Sequence, residues 1–161
     1  MAKATVAKGS EYFFEEGQFI ARLDEVTEKH IEFVYKAHHK AVQRKPELLG
    51  SKSSFDNWEW LWTLLEGPQE GQTITLTTDP KVELEGFSPA KVAFEALQGE
   101  PLELDQDIDT DMVVGLKARI VLTHMEADTR GDRTYYNTRV TDVLPLRDGD
   151  EDVELSDEPP F

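Results

Sequence analysis

Asp111-Met112-Val113-Val114-Gly115-Leu116-Lys117-Ala118-Arg119-Ile120-Val121-Leu122-Thr123 opens the stretch, running to Leu146, that decides how this chain folds. Leu116, Ala118, Ile120 and Leu122 fall on one side of an extended chain, and Lys117, Arg119, Val121 and Thr123 on the other. That period of two marks a half-buried strand. A polar break with turn chemistry follows over Ala127 to Asp132. Then Tyr136, Thr138, Val140 and Leu144 alternate with Tyr135, Asn137, Arg139 and Val143. Pro145, which cannot donate to a ladder, ends the pattern. The prediction is a long β-hairpin with one apolar face and one carrying Lys117, Arg119, Arg133, Tyr135 and Arg139. A solvated strand face and a face offering cations and an aromatic to a ligand fit that pattern equally.

Upstream, Gln18 to Val26 alternates and predicts a first strand. Ile31, Val34, Tyr35, His38, Ala41 and Val42 fit helical spacing, while Ile31, Phe33 and Tyr35 also fit a strand. A short helix is the preferred expectation there, followed by a loop through Gly50 to Ser54. Asn57 to Glu66 predicts a second strand with Trp58, Trp60, Trp62 and Leu64 on one side. Core packing is the commoner role for such a ring, and a stacking platform for bases is the other, with Trp58 and Trp60 the candidates nearest the basic segment. Thr73 to Thr77 predicts a third strand. Ser88 as N-cap, Pro89 at the first helical position and the stripe Ala90, Ala93, Phe94, Leu97 before Gly99 predict a helix.

Strand, strand, strand, helix, strand, strand is the order of a five-stranded OB barrel, a mainly β fold with one small helix; a β-rich α+β sandwich would give much the same string. On the barrel reading the domain covers residues 1–146, and residues 147–161 form a disordered acidic tail. The barrel's ligand face would lie across the Lys29 to Lys52 segment, the tryptophan strand and the turn from Met125 to Arg133.

Charge is sorted along the 161 residues. The net value of −16 argues against a nucleic-acid partner for the chain as a whole. However, residues 147–161 hold seven acids and one base, and residues 100–111 hold six acids and no base. Lys29 to Lys52 has six bases (Lys29, Lys36, Lys40, Arg44, Lys45, Lys52) against Glu32 and Glu47, with three of the four histidines. The candidate DNA-binding set is those six bases with Trp58, Trp60, Lys117, Arg119, Arg130, Arg133, Tyr135 and Arg139.

Cysteine is absent, which excludes disulfides and thiolate metal sites and suits a reducing cytoplasm. No apolar run reaches the ~20 residues of a spanning helix, and no signal-peptide core follows Met1. Rival chemistries fare poorly. Asp105 to Asp111 begins like a calcium loop, but Thr110 and Leu116 stand where that loop needs Gly and Glu. The same carboxylates lack a sequence-adjacent His or Lys for a two-metal nuclease. The expectation is a non-catalytic protein without cofactor or metal.

The chain ends Ser156-Asp157-Glu158-Pro159-Pro160-Phe161. This ending resembles the acidic tip of bacterial single-stranded DNA-binding proteins, most of all the actinobacterial versions. The barrel pattern, with Trp58 to Trp62, the helix at Phe94 and Tyr135 to Pro145, is similar to phage-encoded OB-fold single-strand binders. It departs from the bacterial family in lacking a Gly- or Gln-rich linker and in carrying the Lys29 to Lys52 insertion. The resemblance implies a protein that coats single-stranded DNA in replication, recombination or repair, in the cytoplasm of a host infected by phage. It also implies that Asp157, Glu158, Pro159, Pro160 and Phe161 capture partner proteins, the terminal ring in an apolar pocket and its carboxylate on a base. An acidic interaction protein or DNA mimic that blocks a host nucleic-acid enzyme is the competing expectation, and a homo-oligomer is compatible with either.

Overall fold

The computed structural model describes residues 14–156, apart from the side chains of 127–130, 133 and 135. Five strands form one antiparallel sheet: β1 (Gly17–Val34), β2 (Lys52–Leu64), β3 (Thr73–Thr78), β4 (Lys117–Arg130) and β5 (Arg133–Leu144), ordered β3-β2-β1-β4-β5. Two helices interrupt them, α1 (Lys40–Arg44) between β1 and β2 and α2 (Pro89–Gln98) between β3 and β4. No helix among the described residues is long and apolar enough to cross a membrane.

The inner face of the sheet is the core. Ala21, Leu23, Trp60, Trp62, Ala118, Ile120 and Leu122 are buried there against Phe94, Ala93 and Leu97 of α2. Helix α2 forms where expected. The Ser88 hydroxyl accepts from the Lys91 N–H, and Gly99 ends the helix in the left-handed region. The chain enters the core at Phe14, whose N–H donates to Thr138 Oγ1 at 2.7 Å. Tyr12 and Phe13, the aromatics just before it, lie outside the described residues.

Bulges set which side chains face inward. Leu23 pairs with Trp62 and Glu25 with Leu61, so Asp24 is an extra residue in β1 and the inward set continues at Val26 opposite Trp60. On β5, Val140 pairs with Leu122 and Asp142 with Val121, which leaves Thr141 extra and turns Val143 inward. Strict alternation had put Leu144 inward and Val143 outward; instead Val143 is buried. The expected turn over Ala127 to Asp132 is also shorter, because β4 runs to Arg130 and β5 resumes at Arg133.

The sheet curls like a barrel without closing. Its edges β3 and β5 make no ladder. A cavity of about 230 Å³ lies in that seam, lined by Leu76 of β3, Val143 of β5 and Phe87, Pro89 and Val92 around the start of α2. The short β3 ends at Thr78, two residues before Pro80, which has no N–H to give a ladder. The expected closed barrel is therefore corrected to an open, barrel-like sheet. At the β2 to β3 turn, Gly67 has φ +84°, and a Cβ there would stand 2.6 Å from the Phe19 ring. A side chain is excluded on both counts.

The insertion departs most from expectation. Ile31 to Val34 belongs to β1, the helix shrinks to the five residues of α1, and the anticipated loop at Lys52 to Ser54 is already β2. Tyr35 N–H donates to Ser51 O and Gly50 N–H to Tyr35 O, both at 2.9 Å, closing the ribbon's tip.

Trp60 and Trp62 are equally buried, but Trp60 Nε1 donates to Thr78 Oγ1 at 2.9 Å, while Trp62 Nε1 has no hydrogen-bond partner among the described residues. Chemical unfolding should find Trp60→Phe costlier than Trp62→Phe by about 1 kcal/mol, the net worth of a buried hydrogen bond. Phe94→Ala should cost about 3–5 kcal/mol by opening a cavity in the core.

Candidate nucleic-acid interface

β1 pairs with β4 only over Gly17 to Arg22, whereas it pairs with β2 from Ala21 to Val34. Beyond Trp58, β3 also ends. From about Thr27 to Phe55, β1 and β2 thus leave the sheet as a two-stranded arm. Its outer face carries Ile31 opposite Phe55 and Phe33 opposite Ser53. The Phe33 ring lies 4.9 Å from Tyr35, 5.8 Å from Phe55 and 5.9 Å from His39 in edge contacts. Phe55 remains 45% exposed. His39 is held by the Lys36 N–H, which donates to its Nδ1 at 2.8 Å.

These rings were missed in the sequence, although the alternation Ile31, Phe33, Tyr35 was the signal. Helical spacing through Val34 and His38 competed with it.

Lys36, Lys40, Arg44 and Lys45 lie in the arm's tip, and Lys52, paired with Val34, falls by alternation on the face opposite Phe33 and Phe55; all five are exposed and none is in an ion pair among the described residues. Lys29 pairs with Glu59 at 3.1 Å. On the arm's other face His30 Nδ1 meets Asp56 Oδ1 at 2.6 Å, and that carboxylate holds the imidazole above its ordinary pKa. The six bases expected at Lys29 to Lys52 thus lie along the arm from root to tip, Lys29 of them held by Glu59.

Other expected contacts are relocated. Trp60 is fully buried and hydrogen-bonded, so no base can stack on it; its place in the binding set is withdrawn. Trp58 is half-buried on the inner side, edge-on to Trp60 at 6.1 Å, away from Phe33 and Phe55. Arg139 is exposed on the β4-β5 hairpin, which extends past the opposite end of the β1-β4 ladder from the arm. The side chains of Arg130, Arg133 and Tyr135, on the same hairpin, lie outside the described residues.

Lys117 and Arg119 are engaged by the segment expected to be disordered. Asp150 is buried and takes Arg119 Nε at 2.6 Å and Nη2 at 2.9 Å on its two oxygens. Lys117 Nζ donates to the carbonyls of Glu151 and Val153 and to Glu154 Oε1 at 2.6 Å. Residues 147–156 therefore stay on β4 rather than leaving the domain at Arg147. A composition reading sees only unsupported acids there; two cations on a neighbouring strand supply the support. Asp157, Glu158, Pro159, Pro160 and Phe161 lie outside the described residues.

The Arg119 guanidinium, with the Arg147 N–H, holds the Asp150 carboxyl below its ordinary pKa, and Lys117 does the same for Glu154. Because the folded values are lowered, the stabilisation is in place above the usual carboxylate range and is lost as pH falls through it. Asp150→Asn should lower Tm at neutral pH, and the gap to the parent protein should close as pH drops below that range. A gap unchanged by acid would show that the segment is held by other contacts.

No family model matches the chain, and no curated protein matches it as a relative.

Proposed function

We propose that the protein binds single-stranded DNA through the outer face of the β1-β2 arm, without catalysis, and recruits partner proteins through its C-terminal tip. The observation that carries the reading is the ring cluster of the arm, with Phe33, Tyr35 and His39 partly buried against one another and Phe55 45% exposed, on an element that also carries five exposed bases in no ion pair among the described residues. Flat rings accept any base on their π-face, while lysines and arginines track phosphates without reading sequence. The strand order and the single helix α2 before the last hairpin support an OB-type fold with this arm as its insertion. The resemblance of Asp157 to Phe161 to single-stranded DNA-binding protein tips supports the recruiting role. On the body, Arg22, Lys91, Lys117 and Arg119 are each held by an acid, which favours the arm as the site for a polyanion.

Anisotropy of a labelled oligo-dT tests the reading. Binding should weaken as salt rises, with a log–log slope of about −0.7 for each phosphate neutralised. Phe33→Ala and Phe55→Ala should each weaken binding by about 1–3 kcal/mol wherever a base stacks. Fluorescence of Trp60 and Trp62 is a poor reporter, because both rings are sealed from the strand. A protein that leaves the oligonucleotide untouched at low salt removes the proposal. It would favour the DNA-mimic reading, which the net charge of −16 and the acidic segments over Lys117 and Arg119 support.

A further inference from the structure

A groove of about 630 Å³ opens on the inner side of β2, between the segment after β3 and the segment after α2. Its apolar lining includes the half-buried Trp58, the buried Leu102, and Leu84 and Leu104, which are 41% and 77% exposed. Its rim carries Glu83, Glu85, Glu103 and Asp105. The two segments, residues 79–86 and 100–111, contain nine acids against Lys81 alone. The arm's tip has the opposite character. Residues 36–52 hold five bases against Glu47, and Leu49 beside them is 57% exposed. No residue of the tip lines the groove of its own chain.

We propose that the groove receives the basic arm tip of a second copy of this chain. Lys40, Arg44 and Lys45 would meet the glutamates of the rim, and Leu49 would meet the apolar floor. Charge complementarity selects this occupant, since an acid-rimmed apolar groove repels an acidic partner and the arm is the chain's own cationic element with exposed apolar surface. The contact is heterologous, groove to tip, so a pair joined by it keeps one free groove on one copy and one free tip on the other, and the assembly grows head to tail. A single ribbon tip is a small interface, which makes the association weak and salt-sensitive. The proposal does not rest on the nucleic-acid reading, and its test contains no nucleic acid.

Sedimentation velocity on the intact chain, from micromolar to hundreds of micromolar, should show open-ended association at low salt that disappears at high salt. Reversing the tip (Lys40→Glu, Arg44→Glu, Lys45→Glu) or the rim (Glu83→Lys, Glu103→Lys) should each weaken it by at least about tenfold. Both reversals in one chain should restore it. Leu104→Ala, on an exposed side chain, should weaken it without changing Tm. A protein that stays monomeric throughout, a closed dimer, indifference to the rim reversal, or failure of the combined variant to recover would each overturn the proposal.

Discussion

The ladder of β1 divides the molecule. Over its first residues β1 has a partner on each side, and the sheet can curl its apolar face around Trp60, Trp62 and Phe94. Past Arg22 the β4 partner is gone, and past Trp58 so is β3. Among the described residues no third strand covers this ribbon, and only His39 at the start of α1 packs on its rings, so cross-strand pairs carry much of its stability. Ile31 with Phe55, the edge contacts of Phe33, and the His30–Asp56 pair supply those interactions. The same absence of cover leaves the arm's rings and bases available to a ligand.

Electrostatics follows that division. On the body, acids sit where they answer cations: Asp150 on Arg119, Glu154 on Lys117, Glu59 on Lys29 at the root of the arm. The pairing with Asp150 is bidentate and largely shielded from water, a geometry in which a charge-assisted hydrogen bond is strong. Among the described residues no ion pair answers the bases of the arm's tip or the glutamates of the groove beside Trp58. Both proposals above rest on this unbalanced pair of surfaces, one looking to a polyanion and the other to a neighbouring copy.

Much of the fold was legible in the residues. Alternation located all five strands, Ser88, Pro89 and Gly99 bracketed α2, and the inward set Ala118, Ile120, Leu122 was read directly. Three features escaped. Bulges at Asp24 and Thr141 shift the inward set by one, and nothing in a local pattern announces an extra residue whose partner lies on another strand. The 3.6 and 2 periods overlapped at Ile31 to Tyr35 until strand pairing decided between them. The acids after Arg147 looked too polar to fold because composition cannot see Lys117 and Arg119 waiting on β4.

By itself the sequence determined the mainly β character, the helix α2 with its caps, the segregation of charge and the bases of the insertion, all of which depend on neighbours a few residues apart. Only the tertiary structure decided that Trp60 belongs to the core and Phe55 to the surface, that the sheet stays open between β3 and β5, and that Asp150 folds back onto Arg119. The physical reason is common to all three. Which face of a strand meets the core, which edge finds a partner and which charge finds its counterpart are settled by contacts between residues tens of positions apart.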